Sequence, residues 1–203
     1  MKAALETLVL ATHNAHKARE MRQILLERFP DLNILTLNDF PDALEPEETG
    51  TTMKENAFIK VLAGLETTRK ACLADDGGLE VDALDGEPGV YSKRFGGEST
   101  PFSEKIKLLL EKLKEVPWEK RTARYRCVLG LAIPGHDVRF FDATCEGYIA
   151  FEPKGINGFG FDPIFWVKKR DCTMAELSAE EKNKISHRGK AIHLLFNFLK
   201  QNV

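Results

Sequence analysis

No C-x-x-C pair occurs among the four cysteines, Cys72, Cys127, Cys145 and Cys172, so neither a thiolate zinc site nor a dithiol redox motif is written into the chain. Long apolar runs are missing as well. Segments such as Leu8–Ala11 and Leu108–Leu110 fall far short of the roughly 20 residues of a membrane span, and the N-terminus has no signal-peptide core. A cytoplasmic chain with no membrane partner is expected. Charge of one sign is equally scarce: 29 Lys+Arg stand against 31 Asp+Glu, a net charge of -2. With no block of like charges, nucleic acid is not an expected partner. No internal repeat, low-complexity tract or Gly/Ser linker divides the 203 residues, so residues 1–203 are expected to form a single domain of closely packed lobes. The Walker spacing G-x-x-x-x-G-K-[ST] is absent too.

Local periodicity is plentiful. The apolar run Leu8–Ala11 followed by Thr12-His13-Asn14 reads as a strand and a capped turn. From Ala15 to Phe29 a stripe of Ala18, Met21, Leu25 and Phe29 marks a helix that Pro30 ends. Ile34 and Leu35 suggest a second strand, and the acidic stretch Asp39 to Glu48 is an unusually long loop. Thr52-Met53-Lys54-Glu55 has the pattern of a capping box and opens a helix to about Lys70, with Phe58, Val61, Leu62 and Leu65 expected inward. Asn56, Lys60 and Gly64, four apart, line up on one stripe of the same helix. Cys72-Leu73-Ala74 reads as a strand that delivers Asp75 and Asp76 to its end, with a turn at Gly77-Gly78 and a hairpin near Asp85-Gly86. Thr100-Pro101 is expected to cap a helix that Pro117 stops. Period-two alternation over Thr122–Ile133, returning over Val138–Tyr148, gives a ribbon. Phe161–Val167 reads as a strand, and Ser178 caps the helical region that ends the chain. The fold class expected is α/β with a mixed sheet and flanking helices.

The chemistry-bearing groups sit at the joints. The turn Thr12, His13, Asn14, Ala15, His16, Lys17 offers backbone N–H groups and a lysine at a helix N-terminus, a site suited to phosphate. Glu47, Glu48, Asp75 and Asp76 are candidate magnesium ligands, because adjacent carboxylates after an apolar strand need a cation or donors to relieve repulsion and desolvation. Lys60 is placed to meet phosphate or those carboxylates. Phe159, Gly160, Phe161 and Asp162 combine rings with a carboxylate, and Lys182 with Ser186-His187-Arg188 adds donors, a set able to stack and bond a base.

Six ordered motifs together resemble the inosine triphosphate pyrophosphatase family. They are T-x-N-x-x-K at Thr12–Lys17, E-T-G with E-N-A-x-x-K at Glu48–Lys60, D-D-x-G-L at Asp75–Leu79, P-G-x-Y-S at Pro88–Ser92, G-F-G-F-D-P-I-F at Gly158–Phe165 and E-K-N-x-x-S-H-R-G at Glu181–Gly189. The resemblance implies an elongated mixed α/β fold with a nucleotide cleft between two lobes, usually a homodimer. It implies hydrolysis of non-canonical purine triphosphates (ITP, dITP, XTP) to the monophosphate and pyrophosphate. Residues Thr12 to Lys17 and Lys60 would bind triphosphate, and Glu48 and Asp76 would take magnesium, or manganese. Asp76 would be the general base. Phe159 to Asp162, Lys182, His187 and Arg188 would line the base pocket, and Lys93 matches a binding lysine of part of the family.

Two positions depart from the family pattern. His16 stands where glycine is usual, which brings a side chain to the phosphate loop. Gly77 stands where serine is common, leaving only a backbone N–H for substrate. The alternatives are a septum-formation-inhibitor-type pyrophosphatase acting on other modified nucleotides, or an inactive nucleotide sensor.

Overall fold

The structure is a computed structural model that describes residues 6–44 and 46–202. Glu45, inside the acidic loop, lies outside the described residues. Among them, seven strands form one open mixed sheet and five α-helices accompany it. The strands are β1 (Thr7–Leu10), β2 (Asn33–Thr36), β3 (Ala71–Val81), β4 (Thr122–Ala132), β5 (Arg139–Ile149), β6 (Phe165–Val167) and β7 (Cys172–Thr173). The helices are α1 (Ala15–Arg28), α2 (Met53–Thr68), α3 (Phe102–Lys112), α4 (Ala179–Ile185) and α5 (His187–Asn202). The strand order is β2-β1-β3-β4-β5-β6-β7. β1 pairs in parallel with β2 and with β3, and β6 pairs antiparallel with β5 and β7.

Contacts divide the chain into two compact units. The first comprises Met1–Asp76, Cys127–Ala143 and Arg188–Val203. Its strand β1 is apolar on both faces, as a parallel strand covered on both sides must be. Leu8 and Leu10 pack with Met21 and Leu25 of α1 and with Ile192 and Leu195 of α5. Val9 and Ala11 point the other way, into a cluster with Leu37, Val61 and Cys72. The second unit, Gly77–Arg126 and Thr144–His187, gathers Leu79 and Val81 against Ile106, Leu109 and Leu113 of α3 and against Phe161, Ile164 and Phe165.

The structure departs from the sequence expectations at several elements. β3 does not end at Asp75-Asp76, and Gly77-Gly78 is no turn, because the strand continues to Val81. Its second half is fastened by Ser92, whose Oγ accepts from the Leu79 N–H at 2.9 Å and donates to the Gly89 carbonyl at 2.7 Å. A Cβ on Gly78 would lie 2.1 Å from that carbonyl oxygen, which explains both the glycine and the P-G-x-Y-S motif. The hairpin near Asp85-Gly86 reduces to one bridge between Glu80 and Pro88. Phe58 is not inward but 42% exposed, packed instead beside the Phe140 ring. Pro101, not Thr100, is the N-cap of α3; the Thr100 hydroxyl bonds back to the Gly96 carbonyl. The start of the strand expected at Phe161 is a 3-10 turn over Asp162–Ile164, where Pro163 fits the first turn of a helix and not a ladder. Among the described residues no helix is long and apolar enough to cross a membrane.

Candidate active site

Helix α2 buries a face that hydrophobicity alone does not mark. Asn56, Lys60 and Gly64 all face inward with Met53, Ala57 and Val61. Gly64 makes this possible: a Cβ there would lie 2.9 Å from the Ala11 Cβ and 3.3 Å from the Cys72 Sγ. The helix therefore seats close on β1 and β3, which carries Lys60 to the carboxylates. At the helix start, the Thr52 Oγ1 accepts from the Glu55 N–H while the Glu55 carboxylate accepts from the N–H groups of Thr51 and Thr52 and from the Thr51 hydroxyl. Asn56 Oδ1 accepts from the Gly50 N–H at 2.8 Å. The E-T-G and E-N-A segments are thus one clamp that fixes the loop bearing Glu48.

Lys60 Nζ donates to Asp76 Oδ1 at 2.6 Å and to Glu48 Oε1 at 3.1 Å. Three neighbouring carboxylates, Asp76, Asp75 and Glu48, outweigh the opposing effect of burial and hold the Lys60 ammonium above its ordinary pKa. Asp76 is pushed up, first by its own burial and further by the charge of Glu48, against the pull of Lys60 and Lys17. A carboxylate more basic than usual, held by one oxygen, is what a general base requires.

Asp75 lies in the opposite state. Its side chain is fully buried, and its Oδ2 accepts from Arg188 Nε at 3.1 Å and Nη2 at 2.8 Å, with Lys17 Nζ at 3.2 Å. Burial works against the charge, but Lys17, Arg188 and Lys60 together hold Asp75 well below the usual carboxylate range. Arg188 in turn is raised, against its own burial, by Asp75 and Glu20, and its Nη1 donates to Glu20. Among the described residues, Asp75 Oδ1 has no hydrogen-bond partner. The two adjacent aspartates therefore divide their work: one is locked as an anion, the other left basic.

At the start of α1 the backbone is less open than its sequence suggests. Asn14 is the N-cap, and its Oδ1 already accepts from the N–H groups of His16 and Lys17 at 3.0 and 3.2 Å. The capping leaves the Lys17 side chain, 19% exposed, as the main cationic handle of this turn. Thr12 is buried and bonds the Asn14 N–H, His13 bonds Asn38, and Ala15 and His16 are exposed.

In the second unit Asp162 organises the glycine-rich loop. Its Oδ2 accepts from the Phe159 N–H at 2.8 Å and from Lys182 Nζ at 2.6 Å. Gly158 has φ +74° and its absent Cβ would fall 2.1 Å from that same oxygen, so no other residue fits. Gly160 likewise takes a positive φ. The Lys182 ammonium sits 4.6 Å from the centre of the Phe159 ring. His187 stacks on Tyr125 with ring centres 4.7 Å apart and planes at 14°. Phe161 is buried under Phe95 and Phe102, and Gly77 is half-buried in β3.

The structure thus gathers Lys17, Glu48, Lys60, Asp75, Asp76 and Arg188 in the first unit, and Phe159, Phe161, Asp162, Lys182 and His187 in the second. Glu47 is exposed. The expected convergence of three or four carboxylates does not occur: among the described residues no group of three His, Cys, Asp or Glu is arranged to hold a metal, because Asp75 is given to Arg188 and Lys17. Glu48 and Asp76, joined through Lys60, remain as two hard oxygen donors. That number fits magnesium, which commonly takes one or two carboxylates and completes its shell with waters and substrate phosphates. Glu20 and Tyr125 went unrecognised in the sequence. Glu20 lies three residues beyond Lys17 on the same helix face, a spacing that could have disclosed it. Tyr125 gives no signal beyond strand alternation.

The comparisons with known proteins agree with one another. A profile described as the Ham1 family matches residues 8–198. The chain is similar to the dITP/XTP pyrophosphatase of Geobacillus kaustophilus, 47% identical over 188 residues that cover 93% of this chain and 91% of that one. It is also similar to the enzyme of the same description from Halalkalibacterium halodurans, 47% identical with 94% and 97% covered. Among solved structures, the Staphylococcus aureus Ham1 protein superposes with a TM-score of 0.86 at 41% identity, covering 97% of this chain and all of the other.

Proposed function

The chain belongs to the Ham1 family, and from that premise we propose that it hydrolyses ITP, dITP and XTP to the nucleoside monophosphate and pyrophosphate. The observation that carries this reading is Lys60, a buried ammonium bonded at once to Glu48 and Asp76. Such a group holds two carboxylates together without neutralising both, and it adds a positive charge where a triphosphate must bind.

The reaction follows from these groups. Water attacks the α-phosphorus, its oxygen forming a new bond while the bond to the bridging oxygen of the β-phosphate breaks and pyrophosphate leaves. Asp76 accepts the water's proton, aided by its raised basicity. Lys17 and Lys60 hold the phosphate chain in line. Glu48 and Asp76 would hold magnesium, or manganese, whose charge, when it is bound, neutralises the phosphates. Asp75 contacts no reacting atom in this scheme; it keeps Lys17 and Arg188 in place.

Phe159, Asp162, Lys182 and His187 are assigned to the purine, and Arg188, which also holds Asp75, is assigned to it as well. Hypoxanthine and xanthine carry a keto oxygen at position six that accepts from such donors. Adenine offers an amino group instead, leaving a buried donor unpaired at a cost of about 1–3 kcal/mol. A homodimer is part of the same reading, and the four free thiols suit a reducing, cytoplasmic compartment. The test is a panel of ITP, dITP, XTP, GTP, ATP and dUTP with magnesium, resolved by product. IMP with pyrophosphate is expected from ITP. IDP with orthophosphate, or full activity in excess chelator, would overturn the mechanism.

A further inference from the structure

Lys105 is 1% exposed, among the most buried large side chains of the protein, and no motif or mechanism above uses it. Its Nζ donates to the carbonyl oxygens of Lys93 and Gly97 and lies 5.4 Å from the centre of the Phe102 ring. An aliphatic residue would fill the same space beside Ile106 and Leu109 without the cost of desolvating an ammonium. What the lysine adds is a pair of charged donors aimed at two carbonyls four residues apart.

Those carbonyls bracket the segment 93–97. Within it Phe95 meets Phe161 with ring centres 6.2 Å apart, and Phe102, one turn before Lys105 on α3, meets the same ring edge-on at 5.4 Å and 87°. Phe161 is 2% exposed, and its neighbour Asp162 is the group that fixes both the Phe159 backbone and the Lys182 ammonium. Lys105 therefore touches Phe102 directly and reaches Phe95 through the backbone of segment 93–97, and both rings meet Phe161, beside the residues assigned to the purine.

We propose that Lys105 is a positioning residue for purine binding, clasping α3 to segment 93–97 so that Phe95 and Phe102 fix Phe161 and, through it, the Phe159–Asp162 turn. This rests on the function proposed above and deepens it. The clasp acts on the base and not on the phosphates, so its loss should separate the two.

Lys105→Met keeps the length of the side chain and removes its donors, whereas Lys105→Gln keeps a donor without the charge. For each, KM and kcat are measured with ITP, and the affinity for inorganic tripolyphosphate is measured by calorimetry. In Lys105→Met the KM for ITP is expected to rise at least about tenfold, the order of one lost hydrogen bond from a charged group. Its kcat and tripolyphosphate affinity should stay within about twofold, and Lys105→Gln should recover part of the loss. An unchanged KM, or an equal loss of tripolyphosphate binding, overturns the proposal. Should Lys105→Met fail to fold, Phe102→Leu breaks the same path beyond the clasp, and it must show the same selective rise in KM or the proposal falls. Wild-type protein run alongside separates the two ideas. No turnover of ITP there overturns the proposed function and the clasp with it, while normal wild-type turnover with an unmoved variant overturns the clasp alone.

Discussion

Lys60 Nζ lies 2.6 Å from Asp76 Oδ1, yet the Asp76 carboxyl titrates above its ordinary value, because burial and the charge of Glu48 together exceed the pull of Lys60 and Lys17. The ammonium moderates the basicity of Asp76 and does not abolish it.

Replacing Lys60 by Met removes the strongest cationic influence on Asp76. The folded-state pKa of Asp76 must then rise further, so the acidic limb of the kcat/KM profile should move to higher pH, with neutral-pH activity down at least tenfold by the usual weight of a phosphate-holding group. A pH–rate profile checks this, and an acidic limb that stays in place would contradict the assignment of Asp76 as base.

Asp76→Asn should lower turnover by about 10²–10⁴-fold, the typical contribution of a general base, with nucleotide affinity near that of the wild type. Its stability should depend on pH. A carboxyl whose pKa is raised on folding stabilises the protein below its unfolded pKa and loses that contribution as pH rises through the folded value. In the variant the buried Lys60 ammonium also loses its nearest partner and keeps Glu48. On top of the offset set by that lost partner, Asp76→Asn is expected to gain in melting temperature relative to wild type as pH rises from 4 toward 7; calorimetric melts across that range decide it.

Asp75→Asn should do the reverse. It leaves the buried Arg188 guanidinium short of a counter-charge, a change that costs about 3–5 kcal/mol when one member of a buried pair is removed. Because the Asp75 pKa is depressed on folding, its contribution is full above the unfolded carboxyl value near 4 and fades only as pH falls below it. The gap in melting temperature between variant and wild type should be level from pH 8 to about 5 and narrow in stronger acid. A variant as stable as wild type would show that Glu20 alone satisfies Arg188.

Gly64→Ala places a Cβ 2.9 Å from that of Ala11. Overpacking of this kind costs about 1–3 kcal/mol, and the helix that must shift is the one bearing Lys60. Activity should thus fall by more than the melting temperature alone suggests, which paired melting and kinetic measurements would reveal. Wild-type kcat with a lowered melting temperature would separate helix seating from catalysis.

The helices were legible where their apolar stripe faces the core, as in α1 with Met21 and Leu25. They are only partly legible where the site itself needs the inward face. In α2 Val61 is buried as expected, but Asn56, Lys60 and Gly64 are buried with it while the large apolar Phe58 looks out, so hydrophobicity alone marks only part of that face. The sequence of β3 reads shorter than the strand is, because a Gly-Gly pair after two aspartates has the pattern of a turn. What keeps it extended is the Ser92 hydroxyl, thirteen residues further along. The carboxylates and lysines of the site were visible as residue types, but their partition between an anchored Asp75 and a basic Asp76 depends on Arg188, which no local pattern connects to them.

That Asp75–Arg188 contact spans 113 positions of chain, and it has a meaning for the protein during its synthesis. A nascent chain that has emerged only through α4 already contains Asp75, Asp76 and Lys60, but not the guanidinium that matches Asp75. Long-range closures of this sort form late, and until this one forms, Asp75 has only Lys17 and Lys60 to offset its burial. Polypeptides cut off before α5 should therefore be less stable, and more open to proteolysis, than chains that include Arg188.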